Sequence, residues 1–229
     1  MFFFYDPTWW LIIVGMLLSL AASGNVSATY RKYSKIENAR GMTASEVAER
    51  ILKGAGISDV RIERIEGELT DHYDPKNKVV RLSEGVYYST SVAAIGVAAH
   101  ECGHVLQHYN GYLPIRVRNA IVPVVSFGSN LSWPLILLGV LFGLTKLVDI
   151  GIILFTLVLL FQIVTLPVEF NASKRAIGVI RDTGILYGDE ITGAKKVLNA
   201  AALTYVAGVI ATALQVLRLF LLFGRRRRN

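Results

Sequence analysis

The sequence predicts a mostly α-helical integral membrane protein with a small α+β part, in which a short β-hairpin precedes one helix bearing H-E-x-x-H. Three observations point there. The 229-residue chain is 53% hydrophobic, with a mean hydropathy of +0.46, and its apolar residues fall in blocks close to the ~20 residues that cross a bilayer. Between residues 25 and 118 the blocks give way to amphipathic and turn-rich stretches. Finally, His100-Glu101-Cys102-Gly103-His104 lies in an Ala-, Val- and Gly-rich run without a helix breaker, the composition of a buried helix.

The chain divides by composition into 1–24, 25–118, 119–168 and 169–229. In the first stretch, Trp9 to Gly24 carries no charge. It reads as an uncleaved span with Trp9 and Trp10 at an interface, extended by the aromatic residues before it. A signal peptide would want a basic leader, and no Lys or Arg occurs before Arg31.

In 25–118, Thr43-Ala44-Ser45-Glu46 is a capping box followed by the stripe Val47, Ala48, Ile51 and Leu52, which predicts a short amphipathic helix. Val60, Ile62 and Ile65 suggest a strand. Residues 68–73 and 78–82 flank the turn sequence Asp74-Pro75-Lys76-Asn77 and predict a hairpin. Its second arm, Lys78, Val79, Val80, Arg81 and Leu82, is a candidate edge for an extended substrate backbone, or simply a structural strand. The H-E-x-x-H helix is expected from about Tyr88-Ser89-Thr90 to Tyr109, ended by Gly111 and Pro114.

Two apolar blocks, 121–143 and 150–168, then predict a helical hairpin through the bilayer, turning at Lys146 and Asp149. Glu169 is expected to open a new helix where the chain leaves the membrane. The final block, 197–223, is apolar but carries Asn199, Thr204, Gln215 and Arg218, and it runs into Arg225-Arg226-Arg227-Arg228. Lys and Arg are dense in 25–118 and 169–196, so the positive-inside rule puts those stretches in the cytoplasm and the N-terminus outside. A spanning last helix would carry four arginines outward, against the same rule. Three spans are therefore expected.

The net charge of +7 lies beside apolar blocks and lacks aromatic–basic interleaving, so anionic lipid headgroups are the expected counterpart and nucleic acid is not. The single cysteine, Cys102, excludes an internal disulfide and reads as a small core residue.

On a helix, His100 and His104 share a face one turn apart and can both reach one zinc ion at about 2.0–2.1 Å. Glu101, roughly 100° round the helix, can take a proton from a water activated by that metal. Catalytic zinc wants a third protein ligand. His108 is excluded, because three ligands on one straight helix spread over about 12 Å. The metzincin arrangement is excluded too, since Gln107 and Asn110 hold its glycine and histidine positions. His72, Asp182, Asp189 and Glu190 are further candidates, while Asp149 falls on the far side of the membrane. Glu169 is the best placed, because two spans return the chain to the side it left; its alternative is a helix-start glutamate favoured by the dipole.

The stretches Leu69 to Pro75, Leu82 to Tyr87, Val97 to His104, Leu166 to Ser173 and Ala201 to Ala207 resemble the YugP-type, or neutral zinc, membrane metallopeptidases. The layout is more distantly similar to the HtpX-like zinc peptidases, in which H-E-x-x-H and a later E-x-x-A segment bracket membrane helices. The resemblance implies a zincin-like catalytic part holding one zinc per chain, with His100, His104 and Glu169 as ligands and Glu101 as base. One departure stands out. The HtpX-like pattern has an aspartate four residues after the ligand glutamate, where this chain has Ser173. A serine orients an imidazole less strongly than a carboxylate, and Asn171 is a second candidate for that role. Arg175, His72 and Tyr205 are candidates for stabilising an oxyanion.

The expected activity is a zinc-dependent endopeptidase acting at the cytoplasmic face on membrane or membrane-associated polypeptides. The alternatives are a zinc-stabilised scaffold or adaptor without catalysis and a site-2-type intramembrane protease. The latter needs an aspartate ligand, of which Leu147-Val148-Asp149 is only a faint echo.

Overall fold

A computed structural model describes residues 7–224 of the chain. The leading aromatics, residues 1–6, and the arginines at 225–228 lie outside the described residues. Seven helices and three strands follow in order: α1 (Trp9–Tyr33), α2 (Ala44–Gly54), β1 (Arg61–Ile65), β2 (His72–Asp74), β3 (Val79–Ser83), α3 (Glu84–Tyr87), α4 (Val92–Tyr109), α5 (Leu113–Leu141), α6 (Thr145–Asp182) and α7 (Asp189–Phe223). They form two compact units. One comprises Gly24–Ile115 and Val168–Ala202; the other comprises residues 7–23, Arg116–Pro167 and residues 203–224. The stretch 169–229, read from composition as one piece, is thus shared between both.

In the first unit, the capping box forms as Thr43 accepts from the Glu46 amide and the Glu46 side chain accepts from the Thr43 amide. α2 then buries Val47, Ala48, Ile51 and Leu52. The three strands make one sheet in the order β1-β3-β2, with β1 parallel and β2 antiparallel to β3. Asp74 Oδ1 accepts from the amides of Lys76 and Asn77, closing the hairpin as an Asx turn.

The sheet order corrects one expectation. β3 is the middle strand, with Val79, Val80 and Arg81 paired to β1 on one side and to β2 on the other. The Lys78–Leu82 arm therefore has no free edge for a further strand, because residues 61–65 run beside it in parallel as well as the hairpin partner. The free edges belong to β1 and β2.

α4 is capped by Ser91, whose hydroxyl accepts from the Ala94 amide, so the helix begins slightly later than the sequence suggested. One face packs Ala94, Ile95, Ala98, Ala99, Cys102 and Val105 into a core with α2 and the sheet. The other face is lined with small residues. A Cβ on Gly103 would lie 2.5 Å from the Ala172 carbonyl oxygen of α6, and one on Gly96 would touch Ala194 of α7 at 3.5 Å. The α6 backbone thus runs directly over Gly103.

The second unit holds the lipid-facing helices. α5 and α7 begin before their apolar blocks, and α6 extends beyond its block at both ends. α5 carries Pro123 and Pro134 within it, and the α5–α6 turn falls at residues 142–144 rather than at Lys146 and Asp149, both of which lie in α6. α5 and α6 pack through glycines: a Cβ on Gly139 would be 2.8 Å from the Val148 nitrogen, and one on Gly151 would be 2.8 Å from the Ser132 oxygen. This is the close small-residue packing that serves helices in lipid. α1 and α7 run antiparallel, with Gly15 against Ala211 and the Arg218 guanidinium 5.6 Å from the Trp9 ring centre.

Four helices, α1, α5, α6 and α7, are long and apolar enough to cross a membrane. The expectation is three spans, and α7 adds a fourth candidate by length and composition. The apolar run of α7 does not stop short but continues to Phe223 within a helix of 35 residues, and it packs against α1 in antiparallel fashion. The charge argument against it rested on the arginines at 225–228. α6 is likewise one unbroken helix of 38 residues. Glu169 therefore lies deep within a helix and does not start one, which removes the helix-dipole explanation for it.

Gly103→Ala is expected to force α4 and α6 apart and to cost about 1–3 kcal/mol by overpacking, read as a lower unfolding temperature in detergent. Gly178→Ala on α6, where nothing lies within 4 Å of the added Cβ, is expected to leave that temperature unchanged or slightly raised.

Candidate metal centre

α4 presents His100 and His104 one turn apart, with ring centres 4.8 Å from each other and planes nearly perpendicular. Across the Gly103 contact, α6 delivers Glu169. Its Oε2 lies 3.3 Å from His100 Nε2 and 3.7 Å from His104 Nε2. One ligand atom from each of the three residues lies within 4.8 Å of the others. Two atoms bound to one zinc at ~2.05 Å in tetrahedral geometry stand ~3.3 Å apart. The donor set of two imidazoles and a carboxylate is one that suits zinc, and the two distances from Glu169 lie within about 0.4 Å of that spacing.

Each histidine has a partner at its other nitrogen. His100 Nδ1 is 3.1 Å from Ser173 Oγ, and His104 Nδ1 is 3.0 Å from Gln107 Oε1. With Nε2 turned to the metal position, each Nδ1 carries the hydrogen and donates it. Glu169 and Glu101 are both buried. Among the described residues, the Glu101 carboxylate makes no hydrogen bond or ion pair, so it is available to a substrate or a water. Burial works against a charged His104, but hydrogen bonding to Glu169 and the nearby Glu101 charge prevail and hold its pKa above the usual histidine value. The pocket is electrostatically prepared for a cation.

The remaining candidates are placed elsewhere. Cys102 faces away, its Sγ 3.7 Å from the Ala48 carbonyl, and burial pushes its thiol pKa far up. His72 sits in β2, where Nδ1 donates to the Thr70 carbonyl and Nε2 accepts from Arg81; it is no part of the metal cluster. His108 meets the Tyr73 ring edge-on at 6.1 Å. Asp182 closes α6 beside Arg181, Asp189 and Glu190 open α7, and the Glu190 carboxylate accepts from the Ala39 and Tyr187 amides. Tyr205 is exposed on α7 and, like Asp149, belongs to the other unit. Arg175 donates from Nε to Asn171 Oδ1 at 2.8 Å and lies over the Tyr112 ring at 5.8 Å. Lys78 pairs with Asp59, while Val79, Val80 and Leu82 are wholly buried.

Gln107 is the residue that sequence reasoning missed. It registered only as the absence of a metzincin glycine. A fully buried amide three residues beyond a ligand histidine, on an otherwise apolar helix, is the signal that could have found it.

With this geometry, comparison with known proteins is decisive. The family described as "Putative neutral zinc metallopeptidase" matches residues 8–224. The "Putative membrane protease YugP" of Bacillus subtilis (strain 168) is 47% identical over 213 residues, covering 93% of this chain and 95% of that protein. The chain belongs to this family of zinc metallopeptidases. No solved structure matches it. Membership implies zinc, which the group His100, His104 and Glu169 could hold, and the four apolar helices agree with a membrane protease relative.

Glu169→Ala is expected to remove one ligand and lower bound zinc in the purified protein from about one per chain to well below one, as measured by metal analysis. Because the pKa of His104 is raised, protons compete with zinc at a higher pH than they would at a free histidine. Apparent zinc affinity is expected to be full when the ring is neutral and to fall progressively as pH drops below that raised pKa, followed by chelator titration at successive pH values.

Proposed function

We propose that the chain is a membrane-embedded zinc endopeptidase of gluzincin-like H-E-x-x-H plus Glu type, hydrolysing peptide bonds of membrane or membrane-associated proteins at the cytoplasmic face. The observation that carries this reading is Glu169 Oε2 at 3.3 and 3.7 Å from the two imidazoles, beside an unpartnered Glu101. His100, His104 and Glu169 hold the metal. Zinc bound there supplies Lewis acidity, lowering the pKa of a water and polarising the scissile carbonyl.

Glu101 is the general base. It takes the proton of the attacking water and passes it to the departing amine. Burial keeps the carboxylate out of bulk water, and the absence of a competing partner leaves it free to do so. Ser173 and Gln107 keep the rings turned with Nε2 inward. An extended substrate adds along the outer edge of β2, the free edge on the hairpin side of the sheet, rather than along β3. The density of Lys and Arg in residues 25–118 and 169–196 supports the cytoplasmic placement. α4, with 18 residues, is not among the four candidate spans, which favours this reading over cleavage inside the bilayer.

Glu101→Gln is expected to retain its zinc and to lose about 10²–10⁴-fold in cleavage of an unfolded model polypeptide. Proteolysis at the wild-type rate by that variant would overturn the assignment of the base. A wild-type protein that binds zinc, cleaves nothing and unfolds on chelation would point to the scaffold instead.

A further inference from the structure

The polar contacts behind His104 form a chain whose every hydrogen-bond direction is dictated by chemistry. A guanidinium can only donate, so Arg175 Nε, 2.8 Å away, requires the oxygen of the Asn171 amide. That same oxygen lies 3.1 Å from Gln107 Nε2. Gln107 Nε2 is also 2.7 Å from the Val168 carbonyl, and a carbonyl can only accept. Two acceptors on one side hold the amide nitrogen of Gln107 there and turn its oxygen toward His104 Nδ1, 3.0 Å away. A neutral His104 ring must then carry its hydrogen on Nδ1 and present a bare Nε2 on the Glu169 side. The anchor is a cation steadied over Tyr112 at 5.8 Å, and Gln107 is completely buried, so solvent does not compete.

From this chain we propose that Gln107 is a positioning residue for the metal centre. It fixes the tautomer and ring plane of His104 and is itself oriented by Asn171, Arg175 and the Val168 carbonyl. The proposal rests on His100, His104 and Glu169 being the zinc ligands. It also divides the two histidines. His100 is backed by a single hydroxyl, Ser173 Oγ at 3.1 Å, which rotates and both donates and accepts. His104 is backed by an amide locked from two sides. His104 is thus the preorganised ligand of the pair, and the support that an aspartate supplies in other layouts is here moved to the other histidine and built from amides.

The test uses the full chain in detergent micelles, loaded with Zn²⁺ or Co²⁺. Zinc affinity is read by competition with a chromophoric chelator. Ring N–H protons of cobalt-bound histidines give paramagnetically shifted NMR signals that vanish in D₂O at a rate set by their protection. In the wild type, two such signals are expected, with the His104 proton the slower to exchange. Gln107→Met keeps the volume and removes the acceptor. It is expected to weaken zinc binding about 10–100-fold and to make the slow signal exchange rapidly or disappear.

Asn171→Leu, on the facing helix, is expected to weaken zinc binding in the same direction by a smaller factor, and it decides the matter if Gln107→Met does not fold. Wild-type zinc affinity together with a protected His104 proton in Gln107→Met, or in Asn171→Leu should the former be unfolded, would overturn the proposal. Absence of shifted signals from the wild type would instead remove the ligand assignment, and the positioning role with it.

Discussion

The metal centre depends on how closely two backbones approach. Helices in proteins pack with axes 8–10 Å apart, at a distance set by the side chains between them. At Gly103 there is no side chain, and the Ala172 carbonyl occupies the space where a Cβ would lie. Glutamate is a short reach for bridging two helices, and a shared ion requires its oxygen within about 3.3 Å of both imidazole nitrogens. The glycine inside the pentapeptide is therefore not filler between two histidines. It sets the separation at which α6 brings Glu169 beside them.

Around that contact the protein solves a second problem, which is how to keep several polar groups in a dry interior. Buried polar groups cost free energy unless they are paired. Ser173 and Gln107 pair with the two imidazoles, and Asn171 and Arg175 continue the contacts behind Gln107. Glu101 is the exception. A buried carboxylate without a hydrogen bond or ion pair among the described residues is costly, and Glu101 is the group proposed as the base.

α1, α5, α6 and α7 each contribute residues to both compact units. For α6 this means that Glu169 is carried on the same unbroken helix as a candidate span, without a loop between them. A ligand on a rigid element holds its geometry better than one on a loop. Within the apolar unit, the small residues Gly15, Gly139 and Gly151 bring helices into direct backbone contact, where lipid offers no hydrophobic drive for association.

Local rules sufficed for much of this. The capping box at Thr43, the Asx turn at Asp74, the long apolar helices and the two histidines a turn apart follow from spacing and residue type, because their causes lie within a few positions along the chain. Glu169 was legible as the best-placed acidic residue and through the family resemblance. Three features needed the folded chain. β3 became the central strand only when residues 61–65 joined it in parallel from a distance in sequence. α7 set Ala211 against Gly15 of α1, a partner almost two hundred residues away. Gln107 acquired its role from Val168 and Asn171 on another helix. Periodicity and motif report what a residue does for its own helix or turn; which strand lies in the middle, and which amide faces which imidazole, is decided by contacts between segments remote in sequence, on which local patterns carry no information.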